Sequence, residues 1–256
     1  MTSKENFCNN EIINSTLLEL VNSINDDNEI FLSENDFKFS FAQLLAKPED
    51  VKNIILEYPI QTHKLYEKSD ECKQTFYDNY KKSKKFNEER TYIDLYFEYK
   101  HQKYFVEFKY KLKFIEHPVK RYKNRDFFIK SHLASNIGRH QVYEDIERME
   151  NIKKCFHNSH SFVIFVTNDS NYWEKNTTNF PESSDFKFQL KDGKNTNNNK
   201  LEYLGGAKRK NSEEKYSRRT LYLKNSYKIS WLDFKNIRDT KNSKFRILIF
   251  DCDNHI

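Results

Sequence analysis

Asp94, Glu107 and Lys109 are the residues of this chain whose types and spacing could do chemistry together. They belong to the stretch YIDLYFEYKHQKYFVEFKYK, Tyr92 to Lys111. Ile93, Leu95 and Phe97 fall on one side of an extended chain, and Tyr92, Asp94 and Tyr96 on the other. After the polar break Lys100-His101-Gln102 the alternation resumes. Tyr104, Val106 and Phe108 then share one face, and Phe105, Glu107 and Lys109 the opposite one. The pattern predicts a β-hairpin with one buried face. A turn centred between Lys100 and His101 puts Asp94 directly across from Glu107, with facing Cβ atoms about 5 Å apart. Lys109 follows one pleat along the same face.

Two carboxylates at that separation repel when ionised, so a bound cation stabilises them. Oxygen donors suit a hard ion, and in a cell that ion is Mg²⁺. A neighbouring lysine can hold a water nucleophile or stabilise charge developing on a phosphate. The chemistry of such a set is phosphodiester hydrolysis. The plainer alternative is the solvated face of an amphipathic hairpin. In a chain that is 32% charged, spacing alone favours that alternative.

The elements needed to position these residues are legible on either side. Ser33 is an N-cap for a helix running to Ala46, and Asp36 three residues later completes a capping-box-like pair. Phe37, Phe41, Leu44 and Leu45 form its buried stripe. Asn53 to Ile60 reads as a strand, with Glu57 inside an apolar run, where a buried carboxylate needs a partner or a metal. Ile137 to Phe156 reads as a helix with Val142, Ile146, Met149 and Ile152 on one face. Gly138 to Gln141 form its first turn, where backbone N–H groups can meet a phosphate. Ser161 to Asn168 is almost continuously apolar, as a strand buried on both faces must be.

Asp94 followed by Glu107-Phe108-Lys109 resembles the core motif of the PD-(D/E)XK nuclease superfamily, which includes many type II restriction endonucleases. The Glu-x-Lys half is intact. Ile93 stands where the family name has proline. SENDFKFSFAQLL at Ser33, EFKYKLK at Glu107, LASNIGRHQVYEDIERME at Leu133 and FVIFVTNDSNYW at Phe162 are similar to a subgroup of bacterial restriction-like nucleases. The likeness runs from Leu32 to Trp173 and continues through YKISWLDF at Tyr227.

The resemblance implies an α/β fold with a restriction-endonuclease-like core: helix, three strands, helix, strand, with a mixed central sheet flanked by helices. It implies hydrolysis of double-stranded DNA using Mg²⁺, for which Mn²⁺ can substitute. Asp94 and Glu107 would bind the metal, joined by Glu34 or Glu57, and Lys109 would act on the attacking water. Helix capping is the competing role for Glu34 and the favoured one for Asp36. An outward-facing strand position competes for Glu57. Arg139 and Gln141 are candidates for DNA contact. The subgroup's Arg-x5-Asp-x2-Arg spacing is matched by Arg139, Asp145 and Arg148; for Asp145 and Arg148, holding the helix on the sheet is the favoured role. Cutting both strands of a symmetric site calls for a homodimer, and a restriction system for a cognate DNA methyltransferase. The rivals are a structure- or end-directed nuclease in repair or phage defence, and a catalytically silent DNA-binding module of the same fold.

Composition sets outer bounds. A net charge of +6 and a pI near 8.9 suit a polyanionic partner without requiring one. The abundance of Lys, Asn, Tyr, Phe and Ile also follows from an AT-rich genome. Cys8, Cys72, Cys155 and Cys252 form no CxxC pair and read as reduced thiols. His117 and His132 are isolated. No apolar run reaches the roughly 20 residues of a membrane span, and the N-terminus lacks a signal peptide's apolar core. A cytoplasmic bacterial protein is expected.

The domain reading is one nuclease domain over residues 1–256. Residues 1–30 form a helical extension, in which Ile12 to Ile24 reads as a helix starting near Asn14 or Ser15. The catalytic core follows over 32–168. Residues 169–219 form an irregular insertion in which Lys208, Arg209 and Lys210 are DNA-contact candidates. Closing strands occupy 220–256, at Thr220 to Leu223, Tyr227 to Trp231 and Phe245 to Phe250. Gln61 to Glu89 is polar and Lys-rich, with a short helix expected around Cys72 to Tyr80.

Overall fold

The computed structural model describes residues 6–24, 28–62, 65, 90–122, 125–131, 135–174, 186–196, 200–202, 220–237 and 241–253. The expected helix at Cys72 to Tyr80 and the basic cluster Lys208 to Lys210 lie outside these residues.

The fold is α/β, built on a mixed six-stranded sheet. Helices α1 (Glu11–Ser23) and α2 (Glu34–Leu45) come first, followed by strands β1 (Val51–Gln61), β2 (Arg90–Tyr99) and β3 (Gln102–Lys111). A small hairpin, β4 (Val119–Arg121) and β5 (Arg125–Phe127), precedes helix α3 (Ser135–Cys155) and strand β6 (Ser159–Thr167). Short strands β7 (Lys200–Leu201) and β8 (Leu221–Tyr222) pair with each other. Strands β9 (Leu232–Asn236) and β10 (Lys244–Asp251) close the chain. The main sheet runs β1-β2-β3-β6-β10-β9. Only the β3–β6 pair is parallel, and α3 makes that crossover, as a parallel connection requires.

Each helix follows from its apolar stripe. Phe37 and Phe41 of α2 pack edge-on against Phe108, with ring centroids 5.5 and 5.3 Å apart. They share a core with Leu17 and Leu20 of α1 and with Leu95, Val106, Ile164 and Val166 of the sheet. Val142, Ile146, Met149 and Ile152 of α3 pack on the other sheet face against Phe105, Val163 and Phe165. Gly138 lets α3 approach the turn after β6, because a Cβ there would lie 2.1 Å from the Tyr172 hydroxyl. No described helix is long and apolar enough to cross a membrane.

Several expectations change. The hairpin buries both faces: Phe105 and Tyr96 lie in the α3 core, Leu95 and Phe97 in the α2 core. The register itself is the expected one, with Leu95 opposite Val106 and Tyr99 opposite Gln102. Asn10 caps α1 through Ile13 N–H, while Asn14 accepts from Phe7 N–H at 2.8 Å instead. Part of the expected loop from Phe114 to Arg125 is the β4–β5 hairpin. Tyr227 to Trp231 is not a strand of the main sheet. Its backbone bonds go to the 192–196 segment, for example Ile229 N–H to Lys194 O at 2.8 Å, and β9 begins only at Leu232.

Candidate active site

The site forms where β2 leaves β3. The β2–β3 ladder ends at the Leu95–Val106 pair, so the next N–H groups on that edge of β3 need other acceptors. Two carboxylates supply them. Asp94 Oδ2 accepts from Phe108 N–H at 2.8 Å, and Glu34 Oε2 accepts from Tyr110 N–H at 2.9 Å. The two acids are thus set about 7 Å apart along the strand by its own rise. Glu34 reaches this edge because Ser33 caps α2, its hydroxyl accepting from Asp36 N–H at 3.1 Å. Asp36 turns away to Leu32 N–H and Arg121, so it braces the residue before the N-cap.

Asp94 and Glu107 meet just beyond the end of that ladder. Glu107 is buried, 3% exposed. Burial, reinforced by Asp145 and Asp94, pushes its carboxyl well above the usual range, against the pull of Arg148 and Lys109. Arg148 Nε lies 3.1 Å from Glu107 Oε1 but is not aligned to hydrogen-bond it. For Asp94, burial alone would raise the pKa. Hydrogen bonds from Glu107, Lys38 and Phe108 N–H outweigh it and hold the carboxyl low. The two carboxyls are thus pushed in opposite directions, Glu107 up and Asp94 down, as like charges in contact favour.

Lys109 projects toward α3, with Nζ 2.9 Å from Asp145 Oδ2. Burial would lower its pKa, but Asp145, Glu34 and Glu107 raise it instead. It is a fixed cation. Asp145 also binds Arg148, three residues along α3. The chain Lys109–Asp145–Arg148–Glu107 ties helix to sheet, which is the role favoured for Asp145 and Arg148. A cavity of about 370 Å³ opens above it, lined by Glu34, Lys109, Lys111, Gln141, Glu144, Asp145 and Arg148.

Lys38 escaped the sequence reading. It is 6% exposed, lies 2.9 Å from Asp94 Oδ1 and also binds Glu57. The available signal was its position one helical turn after Glu34, which puts both on one face of α2. Glu57 has φ 54° and sits in a stretch of β1 where the register has shifted against β2. Its half-exposed carboxylate meets the Lys38 ammonium rather than Asp94 or Glu107. Gln141 lines the cavity. Arg139 is buried, donates to Asn171 O at 3.1 Å and covers the Tyr172 ring.

Among the described residues, no three His, Cys, Asp or Glu side chains converge as a ready metal cage. The Asp94–Glu107 pair still fits Mg²⁺. That ion is held by one or two carboxylates and completes its shell with water and phosphate oxygens. No protein-family model, curated protein or solved structure matches the chain.

Proposed function

We propose that this chain is a Mg²⁺-dependent endodeoxyribonuclease of the PD-(D/E)XK type, cutting double-stranded DNA at a specific sequence as a type II restriction enzyme does. The observation that carries the reading is the contact of Asp94 with Glu107, with Lys109 one pleat on and lining a polar cavity. The element order α2, β1, β2, β3, α3, β6 supports it, being the helix, three strands, helix, strand of that superfamily's core.

Asp94 and Glu107 would hold the metal, with Glu34 close enough to contribute through a water. Mg²⁺ bound there supplies Lewis acidity toward the phosphodiester and lowers the pKa of a bound water. Lys109 is ion-paired to Asp145, which suits a positioning and charge-stabilising role. It orients the attacking water and stabilises the negative charge growing on the phosphate. Arg148 and Asp145 fix the direction of Glu107 and Lys109. A homodimer would bring two such sites to the two strands, and a cognate methyltransferase would protect the host's own sites.

The test is incubation of phage and plasmid DNA with the protein, in Mg²⁺ or EDTA, beside Glu107→Ala. Discrete bands that need Mg²⁺ and vanish in the variant are expected. A smear with the same dependence would keep the nuclease and remove sequence specificity. Intact DNA in every lane would overturn the reading in favour of a silent binding module.

A further inference from the structure

The hairpin that follows β3 carries groups that the cleavage chemistry does not use. It is firmly seated. Val119 and Ile129 are buried at its two ends, and Lys120 N–H donates to Asn28 O at 2.8 Å. Arg121 Nη2 lies 2.9 Å from Asp36 Oδ1 and 2.7 Å from Ser40 Oγ, and its Nη1 lies 3.2 Å from Glu29 Oε1. The hairpin is thereby bound to the first two turns of α2, the helix that delivers Glu34 to the cavity.

Three large hydrophobics in and beside it are exposed, where a surface is normally polar. Phe114 is 52%, Tyr122 54% and Phe128 71% exposed. Other exposed large hydrophobics, Phe39, Ile55 and Tyr92, are spread over α2, β1 and β2, whereas these three fall between positions 114 and 128. Around them the sequence is strongly basic. From Lys113 to Lys130 there are six Lys or Arg against two acidic residues; of these cations, Lys113 is ion-paired to Asp169, Lys120 to Asp126, and Arg121 to Asp36 and Glu29. Phe114 follows the cavity-lining Lys111 by three residues. Exposed aromatics among basic residues suit one partner chemistry above others: bases for the rings and phosphates for the cations.

We infer that this hairpin is a DNA-gripping flap beside the cleaved phosphate. Lys120, Arg125 and Lys130 take the backbone, and Phe128 and Phe114 press against bases that leave the stack, kinking the duplex as apolar wedges do. The inference rests on the nuclease reading, since it places the flap on the same DNA that enters the cavity.

Fluorescence anisotropy with labelled duplex, Ca²⁺ replacing Mg²⁺ to hold back cutting, tests it. Phe128→Ala should weaken binding about tenfold, the order found for a lost base–aromatic stack. Its thermal midpoint should not move, because the ring is exposed. Lys130→Gln should instead lower the slope of log affinity against log salt by about one. 2-Aminopurine in the duplex should brighten on binding wild type and not Phe128→Ala. Wild-type affinity and brightening in Phe128→Ala and Phe114→Ala, with Mg²⁺-dependent cutting intact, would overturn the flap and leave the nuclease standing. A wild-type protein that binds neither duplex nor single strand would overturn both.

Discussion

The ammonium of Lys38 lies 2.9 Å from Asp94 Oδ1, so a helix on one face of the sheet supplies the charge that holds a carboxylate at its splayed edge. The same ammonium reaches the half-exposed Glu57. Burial would lower the Lys38 pKa, and the two carboxylates raise it above its ordinary value instead. Lys38 is therefore charged at every pH at which the protein would work.

Removing that charge leaves Asp94 ionised with one cationic neighbour fewer. Lys38→Met should cost about 3 kcal/mol of stability, the scale for breaking a buried pair from one side. Glu57→Gln should cost under about 1 kcal/mol, because an exposed partner is screened and resolvated. Urea unfolding of the two variants measures the contrast. Equal losses would mean that the ammonium serves Glu57 as much as Asp94.

Glu107 sets a pH dependence. Its folded pKa stands above the ordinary 4.5, so the folded chain binds this proton more tightly than the unfolded chain. The stability this gives is complete below about pH 4.5 and is lost as pH rises through the folded pKa. Glu107→Gln keeps the hydrogen-bonding shape without the charge. It should be more stable than the wild type at pH 8 by about 1–3 kcal/mol, the scale of relieving an uncompensated buried group, and match it near pH 4. Mg²⁺ should raise the wild-type midpoint at pH 8 and leave the variant's unmoved. Denaturant curves at the two pH values, with and without Mg²⁺, read both effects.

Asp145 touches Lys109 at 2.9 Å and also binds Arg148, so its loss unhooks two cations at once. Asp145→Asn should slow single-turnover cutting about 10–100-fold, the usual scale for a residue that orients a metal-site group, with substrate affinity little changed. It should also destabilise by about 3 kcal/mol. Asp145→Glu, which keeps the charge, should recover most of the stability. Unchanged cutting in Asp145→Asn would show that Lys109 needs no positioning from α3.

The sequence by itself determined the parts whose reason is local. Alternation about a polar break placed the hairpin turn at Lys100-His101 and so fixed the register as far as the Leu95–Val106 pair. Ser33 marked the start of α2 through its capping hydroxyl. The 3.6-residue stripe of Val142, Ile146 and Met149 located α3, and the unbroken apolar run from Phe162 to Val166 located a strand covered on both sides.

Tertiary structure decided what depends on neighbours distant in the chain. Alternation along β2 and β3 suggested one wet face, but α3 lands on it and buries Tyr96 and Phe105. Tyr227, Ile229 and Trp231 alternate like a strand, yet their backbone finds its partners in the 192–196 segment, so the strand forms five residues later. Lys38 looked like one more surface lysine in a lysine-rich chain. It becomes part of the site because β2 parts from β3 at Asp94. Unpaired N–H groups there draw in two carboxylates, and buried carboxylates draw in a cation. No local pattern records that parting, since it arises only when the strands and α2 are packed together.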